Sequence, residues 1–367
     1  MKIPLFKTYS DSDNVKAVTK LVKSGLNWSV GPEIEKFETA LSSYCGSKFA
    51  LSFNSGTSAL FAGLSALDIK KGDEIIVPAF TYIASVHPVS LLGATPVFAD
   101  IEESSCGLDP LDVEKKITNK TKAIIAVHYA GFPCQINALR KIAKKKKLYL
   151  IEDAAESLGS SFGDKMTGTF GDFGIISFSQ SKSISCGDGG AILTNDKKIY
   201  DSARLLRDLG KRNINNRDFD NIPYEFISVG HNLRLNNILA ALGISQLDKI
   251  NQIIRKRATV AAIYQQELTT INEVKTFAFK NESYVNHQIF PILAEKRDEL
   301  SVFLNKHGIS NRVYFKSLTD SYCYSKFKTK LPVTDKIAEQ ILAIPFFTNI
   351  SRAEIDYVVT NIKKFYK

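Results

Sequence analysis

The sequence predicts an α/β protein: a large domain with a mainly parallel central sheet flanked by helices, then a smaller C-terminal α+β domain. Two observations carry this. Over roughly residues 45–200, short and almost continuously apolar runs alternate with helix-length segments or loops, as strands buried on both faces of a parallel sheet do. After residue 200 that rhythm stops, and from about 245 onward helices with occasional strands follow. The expected division is residues 1–244 for the large domain and 245–367 for the small one.

The elements follow in order. Residues 11–25 read as a helix, with Asp11, Ser12 or Asp13 as cap, Val15, Val18, Leu21 and Val22 on one face, and Gly25 as its end. A second helix, "EIEKFETALSSYCG", follows the loop "LNWSVGP". The strand candidates are "FALSF", "EIIVPAF", "TPVFADI", "KAIIAVHYA", "LYLIEDAA", "GIISFS" and "GAILTN". "RDLGKRNINNRDFDNIPYEF" is polar and loop-like, and a long helical stretch runs from "NLRLNNILAALG" to "IYQQEL". The small domain then offers strands in "HQIFPIL" and "NRVYF", a helix in "KRDELSVFLNKHGI", and a last helix with Ser351 and Glu354 at capping-box spacing.

Composition narrows the class of partner. With 44% hydrophobic and 23% charged residues, the 367-residue chain can bury a sizeable core. A formal charge of +10 suits an anionic partner. The lysines are nevertheless spread over helix surfaces, as in residues 139–147, with no aromatic interleaving, so nucleic acid is not expected. Five cysteines, odd in number and lacking CxxC spacing, indicate neither disulfide framework nor metal site and fit a reducing compartment. No segment approaches membrane-spanning length and "MKIPLFKTY" is too short an apolar run for a signal peptide, so a cytoplasmic protein is expected.

Three segments carry chemistry. In "LSFNSGTSALFAGLSAL" a strand end meets a helix start at Asn54–Ser58, where unpaired N–H groups and hydroxyls favour a phosphate; a plain N-cap with a glycine turn has the same pattern. In "LIEDAAESLGS", Asp153 follows an apolar strand and emerges where open α/β sheets place ligands, unless it only caps the next helix. Lys182 stands alone among Ser177, Ser179, Ser181 and Ser183, an uncharged local setting in which an amine can lose its proton and form an imine with a carbonyl. The "GDGG" that follows is no dinucleotide fingerprint, because a strand and not a helix comes next. Alone, each segment is ordinary. Together they supply what pyridoxal 5′-phosphate needs: a phosphate turn, a carboxylate to keep the pyridine nitrogen protonated, and a lysine for the aldehyde. Tyr82, after another strand, can stack on the ring or pack in the core.

With those residues assembled, the chain resembles the DegT/DnrJ/EryC1/StrS family of nucleotide-sugar aminotransferases, fold type I enzymes using pyridoxal phosphate. The resemblance spans about residues 2–366 and rests on "GPEIEKFE", "NSGTSAL", "GDEIIVPAFTYIAS", "GATPVFADI", "VHYAGFPC", "EDAAESLGS", "GTFGDFGIISFSQSKSISCGDGGAILTND" and "GHNLRLNNILAALGISQL". It implies that Lys182 binds the cofactor and moves protons, that Asp153 pairs with the pyridine nitrogen, and that Gly56, Thr57 and Ser177 hold the phosphate while Tyr82 covers the ring. Glu156, where the family often has glutamine or histidine, would meet the ring hydroxyl. Asn232 would reach the phosphate in a partner subunit, with Arg234 nearby, implying a homodimer with shared sites. Trp28, Arg312, Tyr314 and Lys316 fall where the family often contacts nucleotide sugar.

A related branch carries histidine in place of Lys182 and dehydrates instead; the lysine here implies transamination, with glutamate as donor and a nucleotide-diphospho-keto-sugar as acceptor. The overall pattern leans toward C4 of a 4-keto-6-deoxyhexose, as in GDP-perosamine synthesis for O-antigen polysaccharide. UDP- or dTDP-linked sugars aminated at C3 or C4, and a non-catalytic regulatory relative, are the alternatives.

Overall fold

The computed structural model describes residues 1–212, 225–277 and 283–367. Most of the expected polar loop, residues 213–224, lies outside them. The strands of the large sheet are β1 (Phe49–Phe53), β2 (Glu74–Pro78), β3 (Thr95–Ala99), β4 (Thr121–Val127) and β5 (Tyr149–Asp153). A short hairpin, β6 (Ser161–Phe162) and β7 (Lys165–Met166), separates these from β8 (Phe173–Ser177) and β9 (Gly190–Thr194). The seven-stranded order is β1-β9-β8-β5-β4-β2-β3, parallel throughout except that β9 runs against both its neighbours.

Alternation along each strand divides the core. Leu51 and Phe53 of β1, Ile151 of β5, Phe173 and Ile175 of β8 and Ile192 of β9 face one layer, closed by helices Gly56–Ala66 and Lys197–Arg207. The intervening residues face the other way. Ala50, Ile176, Ala191 and Leu193 meet helices Pro32–Cys45 and Asn237–Leu247, while Ile76, Ile124 and Leu150 meet helix Ile136–Lys146. Such strands must be apolar on both faces, which is why they read as continuous apolar runs.

The first helix, Ser12–Ser24, is capped by Asp11 and ended by Gly25 in the left-handed conformation, as expected. Its apolar face is only partly covered: Val18 and Leu21 are half-buried, Val15 and Val22 remain exposed, and the helix docks through buried Asn14, which bonds Ser245 and Gln246. The long helical stretch is broken at Asp248–Lys249 into Asn237–Leu247 and Ile250–Leu268. β10 (Lys211–Arg212) pairs with β11 (Glu225–Phe226); the small sheet joins β12 (Val274–Thr276), β14 (Phe290–Ala294) and β15 (Ile341–Ile344), while β13 (Ser283–Tyr284) pairs with β6 of the large domain. "NRVYF" is not a strand: only Arg312 pairs, through an isolated bridge to Ala343. The last helix, Arg352–Phe365, begins in the expected Ser351/Glu354 capping box.

The division expected at residue 245 is crossed in several places. Ile250, Ile253 and Ile254 still pack on the large domain, whereas Val260 onward joins the small core. Ile3, at the other end of the chain, is buried in that same small core and bridges Ile309. Leu318, Tyr324 and Leu331 return to the large domain's core, with Leu318 N–H bonded to the Ala79 carbonyl.

The turn before β9 requires glycine. Gly189 has φ +149°, and a Cβ on Gly190 would collide with the backbone of Ser55 and Gly56. Gly190→Ala is expected to destabilise the protein by roughly 1–3 kcal/mol, read as a lower urea midpoint with an unchanged m-value.

Candidate active site

Parallel strands that run the same way end along the same edge of the sheet, and the side chains singled out in the sequence meet there. The edge opens into a cavity of about 360 Å³. Ser55, Gly56, Thr57, Tyr82, Asp153, Glu156, Ser177, Lys182, Arg312 and Tyr314 are among its lining residues.

At the end of β1, Ser55 caps helix Gly56–Ala66, its hydroxyl accepting from Ser58 N–H at 3.1 Å. The N–H groups of Gly56 and Thr57 lie in the first turn, where no intrahelical acceptor exists. The Ser177 side chain, at the end of β8, stands beside Gly56. These donors at a helix start fit a phosphate. The adjacent Asn54 N–H bonds the Leu233 carbonyl at 2.8 Å, tying this turn to the segment carrying Asn232.

Asp153 ends β5 as a buried carboxylate. Its Oδ2 accepts from the Ser85 hydroxyl at 2.6 Å and its Oδ1 from Ala155 N–H at 3.1 Å, while Thr81 and Ser85 hydroxyls lie 2.8 Å apart. Burial pushes its pKa above the ordinary value, against the lowering effect of those bonds and of Lys182. A carboxylate held this way gains from a cationic partner, and a protonated pyridine nitrogen is one.

Lys182 corrects the expectation of an uncharged setting. Its Nζ lies 3.3 Å from Glu156 Oε1, with the side chains only 15% and 17% exposed. Glu156 Oε2 accepts from Ala130 N–H at 2.8 Å. Sequence neighbours of Lys182 are uncharged, but β5 and β8 are adjacent in the sheet, and the loops after them bring a carboxylate to the amine. Tyr82 stands at the cavity wall, 62% exposed, its ring centroid 6.1 Å from that of Phe315. Arg312 donates to the Tyr314 hydroxyl at 3.2 Å and lies over its ring.

Other expected residues do not line the cavity. Trp28 is half-exposed, its carbonyl accepting from Asn237 N–H. Lys316 is exposed, and Asn232 is exposed on the segment after β11 (Glu225–Phe226). Arg234 points inward, 3.6 Å from buried Asp208. Thr81, Ser85 and Phe315 also line the cavity, with no sequence expectation attached to them. Ser55 belongs to the Asn54–Ser58 turn read from the sequence and is its N-cap; the Ser85–Asp153 bond links residues far apart in sequence and leaves no local signal.

An open α/β sheet bearing a helix-start anion site, a buried carboxylate and a cavity lysine defines a pyridoxal-phosphate type of transferase site. The DegT/DnrJ/EryC1/StrS aminotransferase family model matches residues 8–363, and the chain belongs to that family. It is an aminotransferase. GDP-perosamine synthase of Escherichia coli O157:H7 is 34% identical over 365 residues, covering 99% of this chain and 98% of that one. Among solved structures, Helicobacter pylori PseC, an aminotransferase of pseudoaminic acid biosynthesis, has TM-score 0.93 at 28% identity, covering 100% of this chain and 99% of its own. S. venezuelae DesV has TM-score 0.91 at 30% identity, with the same coverage.

The burial of Asp153 has a measurable consequence without any ligand. Its folded-state pKa is raised, so the folded protein holds this proton more tightly than the unfolded chain. That contribution to stability falls as pH rises from the ordinary carboxylate value of 3.8 through the raised one. Asp153→Asn removes the term. As pH rises above the ordinary carboxylate value, the urea midpoint of the ligand-free parent is expected to fall relative to that of the variant.

Proposed function

We propose that this protein transfers an amino group from L-glutamate to C4 of a GDP-linked 4-keto-6-deoxyhexose, the reaction of a GDP-perosamine synthase. The observation that carries this reading is full-length likeness to GDP-perosamine synthase in a chain whose cavity is lined by a lysine, Lys182. The product suits polysaccharide synthesis of the O-antigen type. Pyridoxal 5′-phosphate is the cofactor; when bound it supplies an aldehyde for the amino group and a protonated ring that accepts electrons.

The chain's own residues divide the work. Gly56 and Thr57 N–H groups and the Thr57 and Ser177 hydroxyls hold the phosphate at the helix start. Asp153, oriented by Ser85 and Ala155, keeps the proton on the pyridine nitrogen. Tyr82 covers one ring face, and Glu156 meets the ring hydroxyl while holding Lys182 at 3.3 Å. Lys182 Nζ would carry a proton between substrate and cofactor, away from the donor's α-carbon in the first half-reaction and onto the sugar carbon that receives nitrogen in the second. Arg312 and Tyr314, which line the same cavity, would meet the anionic nucleotide sugar. Trp28 and Lys316 are assigned to substrate only secondarily, since neither lines the cavity.

The same reading makes the protein a homodimer in which Asn232, with Arg234 behind it, completes the partner's phosphate site. Exposed Phe226 and Val229 near Asn232, and exposed Leu26 and Trp28, support a covered face. Among the described residues no helix is long and apolar enough to cross a membrane. The free cysteines, four of them buried, support a reducing compartment, the cytoplasm.

The substrate is tested with GDP-, UDP- and dTDP-linked keto-sugars and glutamate, reading product mass and the aminated carbon. Turnover is expected with the GDP-linked 4-keto sugar. Turnover restricted to a UDP- or dTDP-linked sugar, or amination at C3, would replace this assignment. Lys182→Ala should retain the parent's melting temperature to within a few degrees and lose at least about 1,000-fold in turnover, because proton transfer and covalent catalysis fail together. A variant with parental turnover refutes the role given to Lys182.

A further inference from the structure

Arg312, Tyr314 and Phe315 of the small domain line the cavity, and a second short segment, between β13 and β14, packs behind it against the chain around Lys182 and Glu156. Asn286 and Gln288 on it are buried, 1% and 3% exposed. Gln288 grips the chain on both sides of Lys182. Its Oε1 accepts from Ser183 N–H at 2.9 Å and from the Ser183 hydroxyl at 3.0 Å, and its Nε2 donates to the Ser181 carbonyl at 2.7 Å. Asn286 holds the other charge by its own backbone and the turn after it: its Nδ2 donates to the Glu156 and Leu158 carbonyls, each at 3.0 Å.

The grip is closed from behind. Gln288 N–H donates to the Ala130 carbonyl at 3.0 Å, and Ala130 N–H donates to Glu156 Oε2 at 2.8 Å. Buried Arg257 holds the segment from the small-domain side, donating to the His287 carbonyl at 2.9 Å and the Gln288 carbonyl at 2.6 Å. The residues flanking Lys182 and the backbone of Glu156 are thus fastened by amide side chains two residues apart.

We propose that Asn286 and Gln288 are positioning residues that fix the reach of Lys182 Nζ toward Glu156 and the cavity, so that the reactivity of the amine depends on the seating of the small domain. Neither residue lines the cavity, so the effect passes through Lys182 and Glu156. Truncating Gln288 leaves the Ser181 carbonyl and Ser183 N–H without these partners, and the loop between them is free to change conformation. The proposal rests on the role given to Lys182 above.

The test uses ligand-free full-length protein. Lys182 is labelled with trinitrobenzenesulfonate across pH, and the rate is read by peptide mass; pyridoxal phosphate affinity is then measured by titration. Gln288→Ala is expected to change the labelling rate at neutral pH at least threefold and to weaken cofactor binding at least tenfold. Gln288→Glu keeps the acceptor toward Ser183 and removes the donor to Ser181; it is expected to change both readouts in the same direction, and it decides the matter if Gln288→Ala does not fold. Gln246→Ala removes an equally buried amide that bonds the Tyr9 carbonyl and Asn14, away from the site. It should lower the melting temperature and leave labelling and affinity at parental values. Folded Gln288 variants with parental labelling and affinity overturn the proposal, whatever their melting temperature. Labelling needs no turnover, so a Lys182→Ala enzyme that remained active would refute the catalytic reading and leave this result standing.

Discussion

β1, β2, β3, β4, β5 and β8 share one direction, so the chain leaves each of them along a single edge. Every group given a chemical role at the cavity is there because of that constraint or because it packs over that edge. The phosphate turn follows β1, Tyr82 follows β2, Asp153 ends β5, Ser177 ends β8, and Lys182 lies in the loop that β8 opens. The reversed strand β9 sits between β1 and β8 and brings Gly190 against Ser55 and Gly56. Only a residue without a side chain fits at that contact, so the sheet and the anion site are built by the same packing.

Charge is placed sparingly on this edge and each charge is held. Asp153 is burdened by burial and relieved by two hydrogen bonds, so its environment is prepared for a cation above it. Lys182 and Glu156 neutralise one another at 3.3 Å inside the cavity wall. The ligand-free site therefore holds an amine whose counter-ion is already present, in place of the isolated amine that the surrounding serines suggest. A segment of the small domain fastens the residues flanking Lys182 and the backbone of Glu156, which makes the site a property of two domains together.

What was legible in the sequence was local. The apolar runs announced a two-sided sheet because their buried faces alternate within each strand, and "NSGTS", Asp153 and Lys182 carry their chemistry in their own neighbourhoods. Contacts between distant segments were not legible. Nothing near Glu156 announces Lys182, nothing near Asp153 announces Ser85, and Gln288 sits in an unremarkable apolar stretch. Ile3 was assigned to the large domain by its position in the chain, yet a buried bridge to Ile309 places it in the small one. "NRVYF" has the composition of a strand, but it pairs only at Arg312 and instead sends Tyr314 and Phe315 to the cavity. Composition reports burial, and burial at a cavity wall looks like burial in a sheet.

The central claim is that the amine at the end of this sheet edge is the one that takes the cofactor. Borohydride reduction of the pyridoxal-phosphate-loaded protein, followed by peptide mass mapping, addresses it directly. The account predicts the reduced cofactor on the peptide containing Lys182 and on no other lysine. An adduct at a different lysine, or none on protein that has bound the cofactor, would contradict it.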